Sequence, residues 1–232
     1  MNRRLLKNDV LNLLQKANFA EILPELEKYP ANSLLNPLFL ALCDPVERAR
    51  WNAVLCFGWL VPAMAEKEME AARIVMRRFL WSLNDESGGI GWGSPEAMGE
   101  IMCHNPRLRH EYLHMLISYM REDGENLFED GNYLELPLLQ RGLLWGIGRL
   151  CQEHQKEMLE RGIVADLRAY LKSSDMHVVG LAIRCLGLLG VAAEIDAICR
   201  FETCQEPLRL FIDNEIKEIS VAELVRQALG VH

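Results

Sequence analysis

Two histidines four residues apart, with a glutamate after the first, make the spacing of zinc hydrolases. This chain contains one such string, His110-Glu111-Tyr112-Leu113-His114. On a helix both imidazoles share a face and can hold one metal ion, while the glutamate activates a bound water. The helical phase argues against that chemistry. Leu108, Tyr112, Met115, Leu116 and Tyr119 form the apolar stripe that must enter a core, whereas His110 and His114 fall on the polar side with Ser118 and Arg121. A hydrolase would also need that side roofed and a third ligand delivered, with Glu125, Glu129 and Glu135 as the nearby donors. The reading is a solvent-facing pair without a metal. A zinc-dependent hydrolase using His110, Glu111 and His114 is the alternative. Cys103 and His104 lie just upstream, but no C-x-x-C spacing accompanies them.

The second candidate is the loop Asn84-Asp85-Glu86-Ser87-Gly88-Gly89-Ile90-Gly91-Trp92-Gly93, which opens into Ser94-Pro95-Glu96. Amides at a helix start after glycines can hold an anion. A P-loop, however, needs a lysine before its Ser or Thr, and a dinucleotide fold needs a preceding strand. Asp85, Glu86 and Glu96 would repel phosphate in any case. The loop reads as a tight turn with Trp92 packed on it or as a recognition element for a partner. In the second case Asn84, Asp85, Glu86, Trp92 and Glu96 are the candidate binding residues. The stretch from Glu122 to Glu135 holds six acids and no bases, but Phe128 and Pro137 would occupy ligand positions of a calcium loop, so that motif fails. No cofactor motif is present, and no cofactor is expected.

Composition narrows the partners. The 232 residues are half apolar and carry a net charge of −8, with an isoelectric point near 5.3. That balance disfavours nucleic acid and anionic membranes as general partners, although Arg73, Arg77 and Arg78 make a local basic patch. The apolar run Ala53 to Ala65 contains Pro62 and is shorter than the roughly 20 residues of a membrane span. The amino terminus lacks a secretory pattern, and seven scattered cysteines read as reduced thiols. A cytoplasmic protein whose partner is another protein is expected.

The elements that must position these residues are helices. Gly58, Gly99, Gly148 and Gly187 recur about every 40 residues, the period of stacked helical hairpins. Each sits within a helical pattern, where glycine costs about 1 kcal/mol against alanine and so marks a close helix approach. Capping residues before proline predict helix starts at Asp44-Pro45, Ser94-Pro95 and Asn105-Pro106, and Ser174 or Asp175 opens another, to Leu189. The pattern predicts helices over Arg3–Lys16, Phe19–Lys28, Ser33–Leu42, Pro45–Val61 (stopped by Pro62), Glu66–Leu83 and Pro95–Cys103. Further helices are expected over Pro106–Arg121, Pro137–Gln152, Glu157–Lys172 and Met176–Leu189. Trp51, Trp59, Trp81 and Trp145 fall inside them and are expected in the core. Leu208–Ile212 and Glu215–Ile219 alternate around Asp213-Asn214 as a β-hairpin, and Ser220-Val221-Ala222-Glu223 is a capping box for a last helix.

The segments Pro45–Leu60 and Asp175–Gly190 resemble the second helices of HEAT-like repeats of the kind named after phycobilisome lyases. Leu210–Asn214 with Ser220–Leu229 is similar to the hairpin-plus-helix ending of some bacterial HEAT-like proteins, and Trp81–Gly99 is similar to a block found in a set of them. The resemblance implies an all-α fold, a right-handed solenoid of about five helix pairs forming one domain over 1–232, with 207–232 as its cap. It also implies a non-enzymatic scaffold or adaptor. No lyase signature accompanies it, so bilin chemistry does not follow.

Overall fold

Capping side chains, apolar stripes and glycine spacing become elements in the computed structural model, which describes residues 3–84, 91–122, 124, 131–190 and 194–230. About 70% of the chain is helical. Among the described residues the order is α1 (Arg3–Leu14), a 3-10 turn (Phe19–Glu21), α2 (Leu23–Leu26), α3 (Ala31–Ala41), α4 (Glu47–Lys67), α5 (Met69–Asn84) and α6 (Ser94–His104). There follow α7 (Pro106–Ser118), α8 (Pro137–Glu153), α9 (Gln155–Glu160), α10 (Val164–Tyr170), α11 (Met176–Leu189) and α12 (Ile195–Cys199). An antiparallel hairpin of β1 (Pro207–Ile212) and β2 (Glu215–Ser220) and the helix α13 (Val221–Ala228) close the chain. Two compact units result, Met1–Arg109 and His110–His232.

In the N-terminal unit, Phe39, Phe57 and Phe79 meet with ring centroids 4.7 to 4.9 Å apart and tie α3, α4 and α5 together. Helices α4 and α6 run side by side in the same direction. Arg50 near the start of α4 exerts its charge on Glu96 near the start of α6, and Gly58 further along lies against Glu100 and His104. A Cβ at Gly58 would stand 2.5 Å from Glu100 Cγ, so the missing side chain makes room for the glutamate stem. Helix α5 packs on both and returns the chain between them. Asn52, buried on α4, donates to the carbonyls of Leu14 at 2.8 Å and Lys16 at 2.9 Å. It thereby satisfies acceptors that the end of α1 leaves open.

The C-terminal unit repeats this parallel arrangement twice, in α8 with α11 and in α11 with α13. Arg141 at the start of α8 pairs with Asp175, which also caps α11 by accepting from the amides of His177 and Val178. Further along, a Cβ on Gly148 would lie 3.3 Å from Cys185 Sγ. On the other side of α11, Gly180 faces Leu208 and Leu224, and a Cβ at Gly187 would lie 2.6 Å from Cβ of Ala228 in α13. The glycines at 58, 148 and 187 are thus contact points between neighbouring helices, as their spacing predicts. Asp213 and Asn214 adopt φ values of 54° and 61° at the hairpin turn, the type I′ geometry that suits the twist of two paired strands. Pairing runs from Pro207 with Ser220 to Ile212 with Glu215, and Ser220 Oγ accepts from the Glu223 amide to start α13.

Several expectations are corrected. Pro62 does not stop α4, which continues to Lys67. A proline inside a helix costs about 3 kcal/mol, but Val61, Met64 and Ala65 are buried in the extra turn and offset it. The reading of Phe19–Lys28 as one helix is replaced by a 3-10 turn and a four-residue helix. Glu157–Lys172 is broken at Gly162, whose φ of +71° suits glycine and ends α9. Ser94 is the first residue of α6 and not its cap; Gly93 precedes the helix in the left-handed conformation, φ +70°. Asn105 does cap α7, accepting from the amides of Arg107 and Leu108. Trp81 is not core: it is 74% exposed. Ala72, Val75, Met76 and Phe79 form the buried stripe of α5, and Trp81 sits 200° around the helix from Phe79.

Candidate functional site

The loop candidates separate. Asp85 and Glu86 lie outside the described residues. Asn84 is exposed at the end of α5, and Trp92 is 38% exposed at the approach to α6. Gly93 lies against Leu42, so the entry to α6 is pinned on the α3–α4 connection. Glu96 is different in kind. Its outer carboxylate oxygen, Oε2, is buried and has no hydrogen-bond partner. Burial pushes its pKa up to about 7, against the opposing pull of its own amide and of Arg50. Arg50 does not neutralise it directly, because that guanidinium donates to the carbonyls of Asp44 at 2.8 Å and Pro45 at 3.4 Å.

One turn further along α6, Glu100 is buried and its Oε1 lies 3.0 Å from Nε2 of the half-exposed His104. Residues 96, 100 and 104 are spaced i, i+4, i+8, which places them in one row along the helix. Gly58 of α4 floors the middle of that row. On α4, Trp51 and Trp59 are half-buried on either side of Leu55. The site is therefore a row of carboxylates beside a strip of aromatic surface. Sequence reading singled out Glu96 and missed Glu100, although the four-residue spacing between them was available as a signal. What it lacked was the knowledge that Gly58 sits opposite.

The histidine string takes its place on the surface of α7. His110 and His114 are exposed and Leu108, Tyr112, Leu116 and Tyr119 are buried, as the helical phase requires, whereas Met115 of the expected stripe is exposed and Leu113 and Ile117 are buried beside it. No three His, Cys, Asp or Glu side chains gather as for a metal ion among the described residues. Glu125 and Glu129 lie outside those residues. The basic patch is taken up locally: Arg73 and Arg77 pair with Glu70, and Arg78 lies 3.7 Å above the Phe39 ring and donates to Asn36. All seven cysteines are free thiols. No described helix is long and apolar enough to cross a membrane.

Comparison with known proteins adds the architecture. No protein-family model and no curated protein matches the sequence. Among solved structures, a computationally designed armadillo repeat protein for modular peptide recognition superposes with a TM-score of 0.50 at 15% identity, covering 98% of this chain and 92% of that one. A designed armadillo repeat protein in complex with the peptide (KR)4 gives 0.54 at 15% identity, with the same coverage. The fold is of the armadillo and HEAT repeat type. In that fold, parallel helices of successive hairpins line one face, and α4 with α6, and α8 with α11, are such pairs. The small sheet of β1 and β2 is an addition near the C-terminus.

Proposed function

We propose that this protein is a non-enzymatic interaction module that binds an extended, positively charged segment of another protein along α4 and α6. The observation that carries the reading is Glu96 Oε2, a buried acceptor without a partner. Such a group costs free energy until something donates to it, and a lysine or arginine side chain supplies both donor and charge. Glu100 extends the row, and Trp51 and Trp59 offer ring surface for the apolar stems of such side chains. The likeness to designed proteins made for peptide recognition, one of them holding (KR)4, agrees with this reading. Trp92 and Asn84 would form the rim at the loop end.

The test is fluorescence anisotropy with a labelled (KR)4 peptide and an acidic peptide of equal length as control. Saturable binding of the basic peptide at pH 8 is expected. The affinity should fall about tenfold in Glu96→Gln, a loss of about 1.4 kcal/mol. Binding should also weaken at pH 5.5, where Glu96 carries its proton. Equal affinity for both peptides, or no effect of Glu96→Gln, overturns the proposal.

A further inference from the structure

The C-terminal unit holds a local cluster of cations although its formal charge is negative. Arg149 follows Gly148 on α8 and Arg184 precedes Cys185 on α11, and Gly148 and Cys185 meet at the contact between the two helices. The same contact that lets the helices approach therefore brings two guanidiniums together. Arg184 is half-buried, and desolvation foremost, with Arg149 adding to it, holds its pKa below the usual arginine value. A guanidinium offers five N–H donors. Arg184 uses one, on Gln152 Oε1 at 3.4 Å, and no carboxylate among the described residues lies within salt-bridge distance of it.

The neighbouring acids are already engaged. Glu153 accepts from Arg149 at 3.1 Å. Asp213, at the hairpin turn, accepts from Lys217 Nζ at 2.7 Å. The fields of Arg184 and Arg149 reach Asp213 and help keep its carboxyl ionised, after the larger effect of Lys217. Around the hairpin tip Arg149, Arg184 and Lys217 stand with Glu153, Asp213 and Glu215, and Arg184 is the cation whose guanidinium has no carboxylate partner among the described residues. A half-buried guanidinium with unused, forked donors suits a group with two oxygens in a plane.

We propose that Arg184, flanked by Arg149 and Lys217, is a binding site for an oxyanion, a carboxylate or a phosphate, at the tip of the β1–β2 hairpin. The proposal is independent of the α4–α6 reading and concerns the other unit. Arg184 supplies the paired donors, Arg149 and Lys217 supply field, and Asp213 competes with the ligand for them. A lysine in place of Arg184 would keep the charge and lose the fork.

Arginine Nε–Hε resonances followed by NMR test this directly, with inorganic phosphate, glutarate and sodium chloride titrated separately at matched ionic strength. Saturable shifts of Arg184 and Arg149 are expected with phosphate or glutarate and not with chloride, and the tighter of the two names the chemistry of the ligand. Arg184→Lys should fold and bind at least tenfold more weakly, while Asp213→Asn should tighten binding about threefold. Shifts that chloride reproduces, or unchanged affinity in Arg184→Lys, overturn the assignment.

Discussion

The pair α4–α6 and the pair α8–α11 are two versions of one arrangement that differ in what lies on their faces. Counted from Gly58 and Gly148, Trp51, Leu55 and Trp59 occupy on α4 the positions that Arg141, Trp145 and Arg149 occupy on α8. In the C-terminal unit the chain lays its own strand against this stripe. Trp145 Nε1 donates to the Phe211 carbonyl at 2.7 Å, the two rings lie 6.2 Å apart, and Trp145 is only 7% exposed. Leu208 is fully buried against Gly180, and the Arg209 amide donates to His177 Nε2 at 3.3 Å. In the N-terminal unit no strand is found among the described residues, Trp51 and Trp59 stay half-buried, and Glu96 has an unsatisfied oxygen. Where the chain covers its own repeat face, indole and carbonyl satisfy each other. The uncovered face keeps an acceptor in reserve.

The largest effect that sharpens the contrast comes from the contact glycines. At Gly187 a methyl group would meet the Cβ of Ala228 at 2.6 Å and its Cα at 2.7 Å, which backbone cannot yield without moving α13. Gly187→Ala should therefore cost about 1–3 kcal/mol in urea denaturation. At Gly58 the obstacle is Glu100 Cγ, the middle of a flexible side chain. There the gain of about 1 kcal/mol in helix propensity should offset part of the displacement and leave a smaller loss than at Gly187. Equal losses at both positions would show that the N-terminal pair is as closed as the C-terminal one.

Trp145→Phe comes next. It keeps an aromatic ring under Phe211 but removes the N–H, leaving a buried carbonyl with one partner fewer, and should cost about 1–2 kcal/mol. The acidic row of the other unit should respond with pH instead. The pKa of Glu96 is raised to about 7 in the folded chain from an ordinary value of 4.5. The folded state therefore holds its proton more tightly than the unfolded state does, and stability from this group is full below pH 4.5 and lost as pH rises to 7. Glu96→Gln should match the parent near pH 4.5 and exceed it increasingly as pH rises, with the gap fully open by pH 8. A constant difference across that range would mean the carboxylate is solvated, and the comparison would lose its open side.

Much of this was legible in the sequence because it is local. Asp175 and Asn105 as caps, Asp213-Asn214 as a hairpin turn, and the capping box at Ser220 depend on a few adjacent residues and appear where the sequence puts them. The 40-residue glycine period points to the repeat, because Gly58, Gly148 and Gly187 each answer to a neighbouring helix. What was not legible depends on which face of an element meets another. Trp81 reads as core because it is a tryptophan in a helix, whereas its phase against Phe79 puts it outside. Pro62 reads as a stop because its cost is local and the burial that outweighs it is not. Glu100 and Arg184 went unremarked because a charged residue on a helix reads as solvated until the partner helix is known.

The smallest expected effect on stability falls on an exposed loop candidate. Trp92 is 38% exposed, and the neighbouring Gly93 lies against Leu42. Truncating Trp92 removes a ring with a large wet surface, so Trp92→Ala should change stability by no more than about 0.5 kcal/mol. Trp145→Ala, at 7% exposure with a buried hydrogen bond, should by contrast lose several times as much. If Trp92 belongs to the rim of the α4–α6 site, the same variant should weaken capture of the basic peptide by about 2 kcal/mol, as aromatic anchors do. Melting temperature and anisotropy measured on this one variant separate two roles. A drop in melting with binding intact makes Trp92 a packed turn residue. Intact melting with lost binding places it in the recognition surface, because a side chain that the fold does not need has then been needed by the ligand.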